Sequence, residues 1–76
     1  MIHEIKISHL FFDDVQNGVK KFELRKDDRN YQVGDKLLLS EVKDGVLTGR
    51  KNQVTVVYKL SNYVGLEAGY CILGLK

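Results

Sequence analysis

Seventy-six residues, 43% of them hydrophobic and 29% charged, make one small domain spanning 1–76 with room for a single modest core. A formal net charge of +2 is too small for an extended duplex-binding surface, no run approaches the ~20 apolar residues of a membrane span, and no signal peptide is expected. The lone cysteine, Cys71, has no internal partner, which fits a reducing, cytoplasmic setting, and its apolar neighbours suggest an inert buried thiol.

Ile2 to Ile7 alternates, with Ile2, Glu4 and Lys6 on one side and His3, Ile5 and Ile7 on the other, and predicts a first strand. Ser8 is a good N-cap for a helix over His9 to Asn17, and Gly18 suits the position just past its end. Leu10, Phe11 and Val15 are the expected apolar stripe of that helix, while Asp13, Asp14 and Gln16 face water. His3 and His9 match no zinc-ligand spacing, so a strand-surface and a helix-start role are expected and no metal or cofactor is called for.

Lys21 to Lys26 alternates again and predicts a second strand, with Phe22 and Leu24 on the core side and Lys21, Glu23 and Arg25 on a polar side. A polar loop over Asp27 to Gln32 leads through Val33-Gly34-Asp35 into a strand from Lys36 to Val42. Asp44-Gly45 is a two-residue hairpin signal. The strand beyond it starts near Val46, is expected to break around Gly49 to Asn52, and resumes from Gln53 to Leu60. A glycine-containing loop then precedes a last strand, Tyr70 to Leu75. Five to six short strands and one helix suggest a mixed α/β, mainly β domain, a small partly closed barrel with the helix packed on it.

The charge is not spread evenly. Lys20 to Arg29 holds five basic residues (Lys20, Lys21, Arg25, Lys26, Arg29) against three acidic ones, which accounts for the whole net charge because the rest of the chain balances seven against seven. A local basic excess of this kind attracts phosphate. Glu23 and Arg25, two apart on a strand, share a face. Arg25 offers a planar fork of donors, Glu23 accepts from an exocyclic amine, and Lys20 at the preceding turn can swing toward them. The same three residues also suit a solvated ion-pair ladder worth ~0–1 kcal/mol per pair.

Gly18-Val19-Lys20-Lys21-Phe22-Glu23-Leu24-Arg25 resembles the G-x-K-x-x-E-x-R signature of ASCH domains in the PUA-like superfamily. The His3-Glu4 opening, Val33-Gly34-Asp35, Thr48-Gly49-Arg50 and Leu73-Gly74-Leu75 extend the likeness over most of the chain and suggest a short bacterial or phage branch. The resemblance implies a PUA-like barrel that binds RNA or a nucleotide in a cleft, with Gly18, Lys20, Glu23, Arg25, Arg29 and Tyr31 as binding residues. Tyr31 is the favoured base stacker and Tyr63 the second, whereas Tyr58 and Tyr70 are expected in the barrel wall.

The main alternative is a small hydrolase. Some ASCH-like relatives resemble acetylcytidine-type amidohydrolases and others ribonucleases, which would make Lys20 and Glu23 catalytic. Glu23 stands where the amidohydrolase pattern has a threonine, and Glu67 is only a loose substitute for its second acid. A protein-interaction module is the third class.

Overall fold

A computed structural model of the chain describes residues 1–76. Six elements follow in order: β1 (Ile2–Ser8), α1 (His9–Gln16), β2 (Phe22–Lys26), β3 (Lys36–Lys43), β4 (Val46–Ser61) and β5 (Tyr70–Leu75). The fold is mainly β with one helix, and the strands form one five-stranded sheet in the order β1-β3-β4-β5-β2. β1 runs parallel to β3 and every other pairing is antiparallel. No backbone ladder joins the outer strands β1 and β2, so the sheet is open where closure of a barrel was expected.

Ser8 caps α1 as its sequence suggests, its hydroxyl accepting from the Leu10 N–H at 3.1 Å. Ser8→Ala is expected to cost about 1 kcal/mol in a urea titration, the usual value of such a cap. The buried face of the helix is not the expected one. Phe12 and Val15 are buried against the sheet, whereas Leu10 and Phe11 are exposed. Both pairs, Phe12 with Val15 and Phe11 with Val15, satisfy helical spacing. Phe12 joins the apolar core, with the Arg50 guanidinium of β4 over its ring at 4.5 Å, while Phe11 lies on the other side with Lys20 5.3 Å from its ring.

The core fills the inner face of the curled sheet, with Ile5 and Ile7 from β1, Leu37 and Leu39 from β3, Val56 from β4, and Cys71 and Leu73 from β5. Burial raises the Cys71 thiol above its ordinary pKa, which keeps it unreactive. Asp44 and Gly45 both take positive φ, 52° and 77°, and make the tight hairpin between β3 and β4.

β4 is continuous where a break was expected near Gly49 to Asn52. The register against β3 slips between Ser40 and Val42, so Glu41 stands opposite Thr48, Gly49 and Arg50. This bulge absorbs the positive φ of Gly49, 93°, without ending the strand. The Glu41 carboxylate accepts from the Thr48 hydroxyl at 2.6 Å and from Arg50 Nε and Nη2 at 2.9 and 2.6 Å, and Arg50 Nη1 reaches Asp13 at 3.0 Å. The Thr48-Gly49-Arg50 segment therefore ties the bulge to the helix.

His3 is buried, contrary to a strand-surface placement. Its Nε2 lies 2.8 Å from Asp35, which also accepts from the Gln32 backbone N–H at 3.0 Å and from the N-terminal ammonium at 3.3 Å. The Val33-Gly34-Asp35 turn is thus an anchor for the start of β1.

Candidate functional site

β2 alternates as the sequence indicates, but with its faces reversed. Glu23 is 5% exposed, while Phe22 and Leu24 are 49% and 57% exposed. The register with β5 is the cause. Glu23 pairs with Leu73 and Arg25 with Cys71, both fully buried, whereas Phe22 and Leu24 pair with Gly74 and Ile72 on the outer face. Cross-strand partners share a face, so Glu23 and Arg25 turn inward while Lys26 stays on the outer face with Phe22 and Leu24.

A buried carboxylate needs compensation. Lys20 Nζ donates to Glu23 Oε1 at 2.6 Å and Arg25 Nε donates to Oε2 at 3.0 Å. Lys20 also donates to the Phe22 carbonyl at 2.8 Å and lies between two rings, 5.3 Å from Phe11 and 4.7 Å from Phe22. The turn at Gly18, φ 74°, delivers Lys20 to this place, with the Val19 and Lys20 N–H groups both bonded to the Asp14 carbonyl.

Arg25 then reaches across the open edge. Its Nη2 donates to the Lys6 carbonyl of β1, and Arg29 Nη1 donates to the Glu4 carbonyl at 3.0 Å. The carbonyl of Met1, just before β1, bonds the Lys36 N–H of β3, so the backbone groups of odd-numbered positions serve the sheet and those of even-numbered ones face the gap. Two arginine side chains thus stand in for the missing strand pairing. Arg25 Nη1 and Arg29 Nε and Nη2 keep donors with no partner in the chain.

The gap between β1 and β2 is a cleft of two adjoining grooves that share Lys6, Arg25 and Lys26. One, about 390 Å³, is lined by Glu4, Arg29 and Asp28 with Tyr31 at its floor. The other, about 610 Å³, is edged by Phe11, Phe22 and Leu24 over Lys20 and Glu23. Five cations line the two grooves together, and the one deeply buried anion, Glu23, is already paired twice.

The expected site residues fare unevenly. Lys20, Glu23, Arg25 and Arg29 come together at the cleft. Gly18 does not; it borders a smaller depression beside Lys21 and Leu75 that shares only Lys20 with the cleft, and its contribution is the turn. Tyr31 cannot present a free ring to a base, because it is 1% exposed, packed edge-on to His3 at 4.8 Å, and its hydroxyl pKa is raised by burial. Its loop is held by Asp27, which accepts from the Tyr31 N–H at 3.2 Å and pairs with Lys59 at 2.8 Å. Tyr63 is exposed in the β4–β5 connection and borders neither groove. Tyr58 is exposed on the outer face of the sheet.

The available rings at the cleft are Phe11 and Phe22, which pattern reading assigned to the core. Lys6 and Lys26 were also missed, and only the positions of the strand edges mark them. No group of His, Cys, Asp and Glu has the arrangement of a metal site. No helix is long and apolar enough to cross a membrane.

The chain is 48% identical over 65 residues to the uncharacterized 12.9 kDa protein in the GpA 3' region of Escherichia phage P2, an alignment covering 83% of this chain. It spans 60% of that relative's length. Residues 2–75 match the family described as Domain of unknown function (DUF3850), and the chain belongs to that family.

Proposed function

We propose that this domain binds RNA or a nucleotide in the β1–β2 cleft, as an ASCH-like member of the PUA-like group whose partly closed barrel is completed by arginine side chains. The observation that carries the reading is the set of unspent guanidinium donors on Arg25 and Arg29, two of the five cations lining a cleft with exposed phenyl rings at its rim. Guanidinium forks hold phosphate, and exposed rings accept bases of any sequence. Glu23 acts here through Lys20 and Arg25 rather than by touching the ligand. With both of its oxygens held by cations it is poorly placed to serve as a base, which favours binding over hydrolysis.

Titration of the isotope-labelled protein with short single-stranded RNAs and mononucleotides is expected to move the backbone NMR signals of residues 4–8 and 20–31. Arg25→Ala and Arg29→Ala are each expected to weaken binding about tenfold, in line with loss of a charge-assisted contact. The affinity should fall with salt, with a slope of about −0.7 per phosphate contact. A broad panel that leaves the cleft signals unmoved sinks the proposal. Product formation from RNA or acetylcytidine that stops in Lys20→Ala would replace it with the hydrolase reading.

A further inference from the structure

The outer face of β2, β5 and β4 has no helix over it. From β2 it presents Phe22, Leu24 and Lys26, and from β5 Tyr70, Ile72 and Gly74, by the alternation that buries Glu23, Cys71 and Leu73. From β4 it presents Tyr58 and Leu60, which pair with Gly74 and Ile72. Tyr58 is 65% exposed and stands two strands from Phe22, about 10 Å at ordinary strand spacing. Gly74 between them carries no side chain, and a Cβ there would lie 3.0 Å from the Tyr58 Cβ, so the centre of the face stays flat beside the tyrosine.

Two features separate this face from an ordinary apolar patch. None of its residues is acidic, and lysines flank it, with Lys26 on the face and Lys20 over the Phe22 ring at 4.7 Å. It is also continuous with the cleft, because Phe22, Leu24 and Lys26 border both. Flat aromatic sheet surfaces with basic surroundings suit unpaired bases, whose π-faces stack while lysines answer the phosphates.

We infer that the Phe22–Gly74–Tyr58 face is a stacking platform for the bases of a single-stranded nucleic acid that leaves the β1–β2 cleft over the edge of β2. The inference rests on the cleft reading and narrows its ligand to a single strand rather than a free nucleotide. Phe22 forms the step between the two surfaces, and Tyr58 takes a base beyond it.

The test compares a single-stranded oligouridylate of about six nucleotides with uridine monophosphate, using NMR shifts and fluorescence anisotropy on the intact protein. Tyr58→Ser is expected to weaken the oligomer about tenfold, the loss of one stacked base, and to leave the mononucleotide unchanged. Tyr58→Phe should retain the oligomer affinity, and Leu24→Ser should reproduce part of the loss should Tyr58→Ser perturb the fold. Arg25→Ala should weaken both ligands. Oligomer affinity that survives Tyr58→Ser but falls in Arg25→Ala overturns the platform and leaves the cleft standing. Concentration-dependent dimerisation in sedimentation, abolished by Tyr58→Ser, assigns the face to a second copy and likewise overturns it. No response to either ligand removes the cleft reading and the platform together.

Discussion

Glu23→Ala is expected to cost the fold about 3 kcal/mol, the loss that follows when a buried ion-pair cluster is stripped of its one shared anion. Lys20 and Arg25, which converge on that carboxylate at 2.6 and 3.0 Å, would be left facing each other on the inner side of β2. A 76-residue domain has a total stability of about 4–11 kcal/mol, so the variant would stand near its folding threshold. Glu23→Gln keeps the volume and one acceptor and should cost about half as much. In Lys20→Met the effect of Glu23→Gln should shrink, because one of the two charges it strands is already gone. Urea titrations of the unsubstituted protein, the three single variants and the Lys20→Met/Glu23→Gln double variant measure this. A change within about 0.5 kcal/mol in Glu23→Ala would place the triad among ordinary exposed ion pairs. Any larger loss of ligand affinity in the surviving folded fraction would reflect an Arg25 no longer held toward the cleft.

Acidification should unfold the domain through two other carboxylates. The hydrogen bonds from Arg50 and then Thr48 hold Glu41 at a pKa of about 2 against an ordinary 4.5. The His3 contact, followed by the Gln32 backbone N–H, holds Asp35 at about 2 against 3.8. The unfolded chain therefore binds more protons than the native one between about pH 5 and pH 2. Stability from both groups is fully present above that window and is lost as pH falls through it. The expected acid transition, followed by circular dichroism, lies below pH 4 and is steep. Glu41→Gln removes one contributor, so its stability at neutral pH is lower and its dependence on pH across the window is shallower. An acid limb identical in slope to that of the unsubstituted protein would show that the Arg50 clamp adds nothing.

Much of the architecture was legible in local pattern. Ser8 and Gly18 bracket the helix because capping and a left-handed turn are chemistry of single residues. The Asp44-Gly45 hairpin and the last strand over Tyr70–Leu75 were found for the same reason. The continuous β4 was not, since a glycine that breaks one strand is absorbed in another by a bulge, and the bulge depends on Glu41 across the pair. The candidate site was half legible. Lys20, Glu23, Arg25 and Arg29 declared themselves as a charge cluster, but the ring assignments failed: Tyr31 is floor and Phe11 and Phe22 are rim.

The sequence by itself determined the element order, the alternation of β2 and the concentration of basic charge between Lys20 and Arg29. Only the tertiary structure decided which side of that alternation faces inward. In isolation Phe22 and Leu24 are the natural core residues, and β5 offers apolar side chains on both of its faces. Pairing Glu23 with Leu73 and Arg25 with Cys71 places the charges inside, and the cost is met by Lys20 and Arg25 binding the carboxylate between them. From that inward position Arg25 can span the open edge to β1, which no local periodicity could indicate because its partner lies 19 residues away.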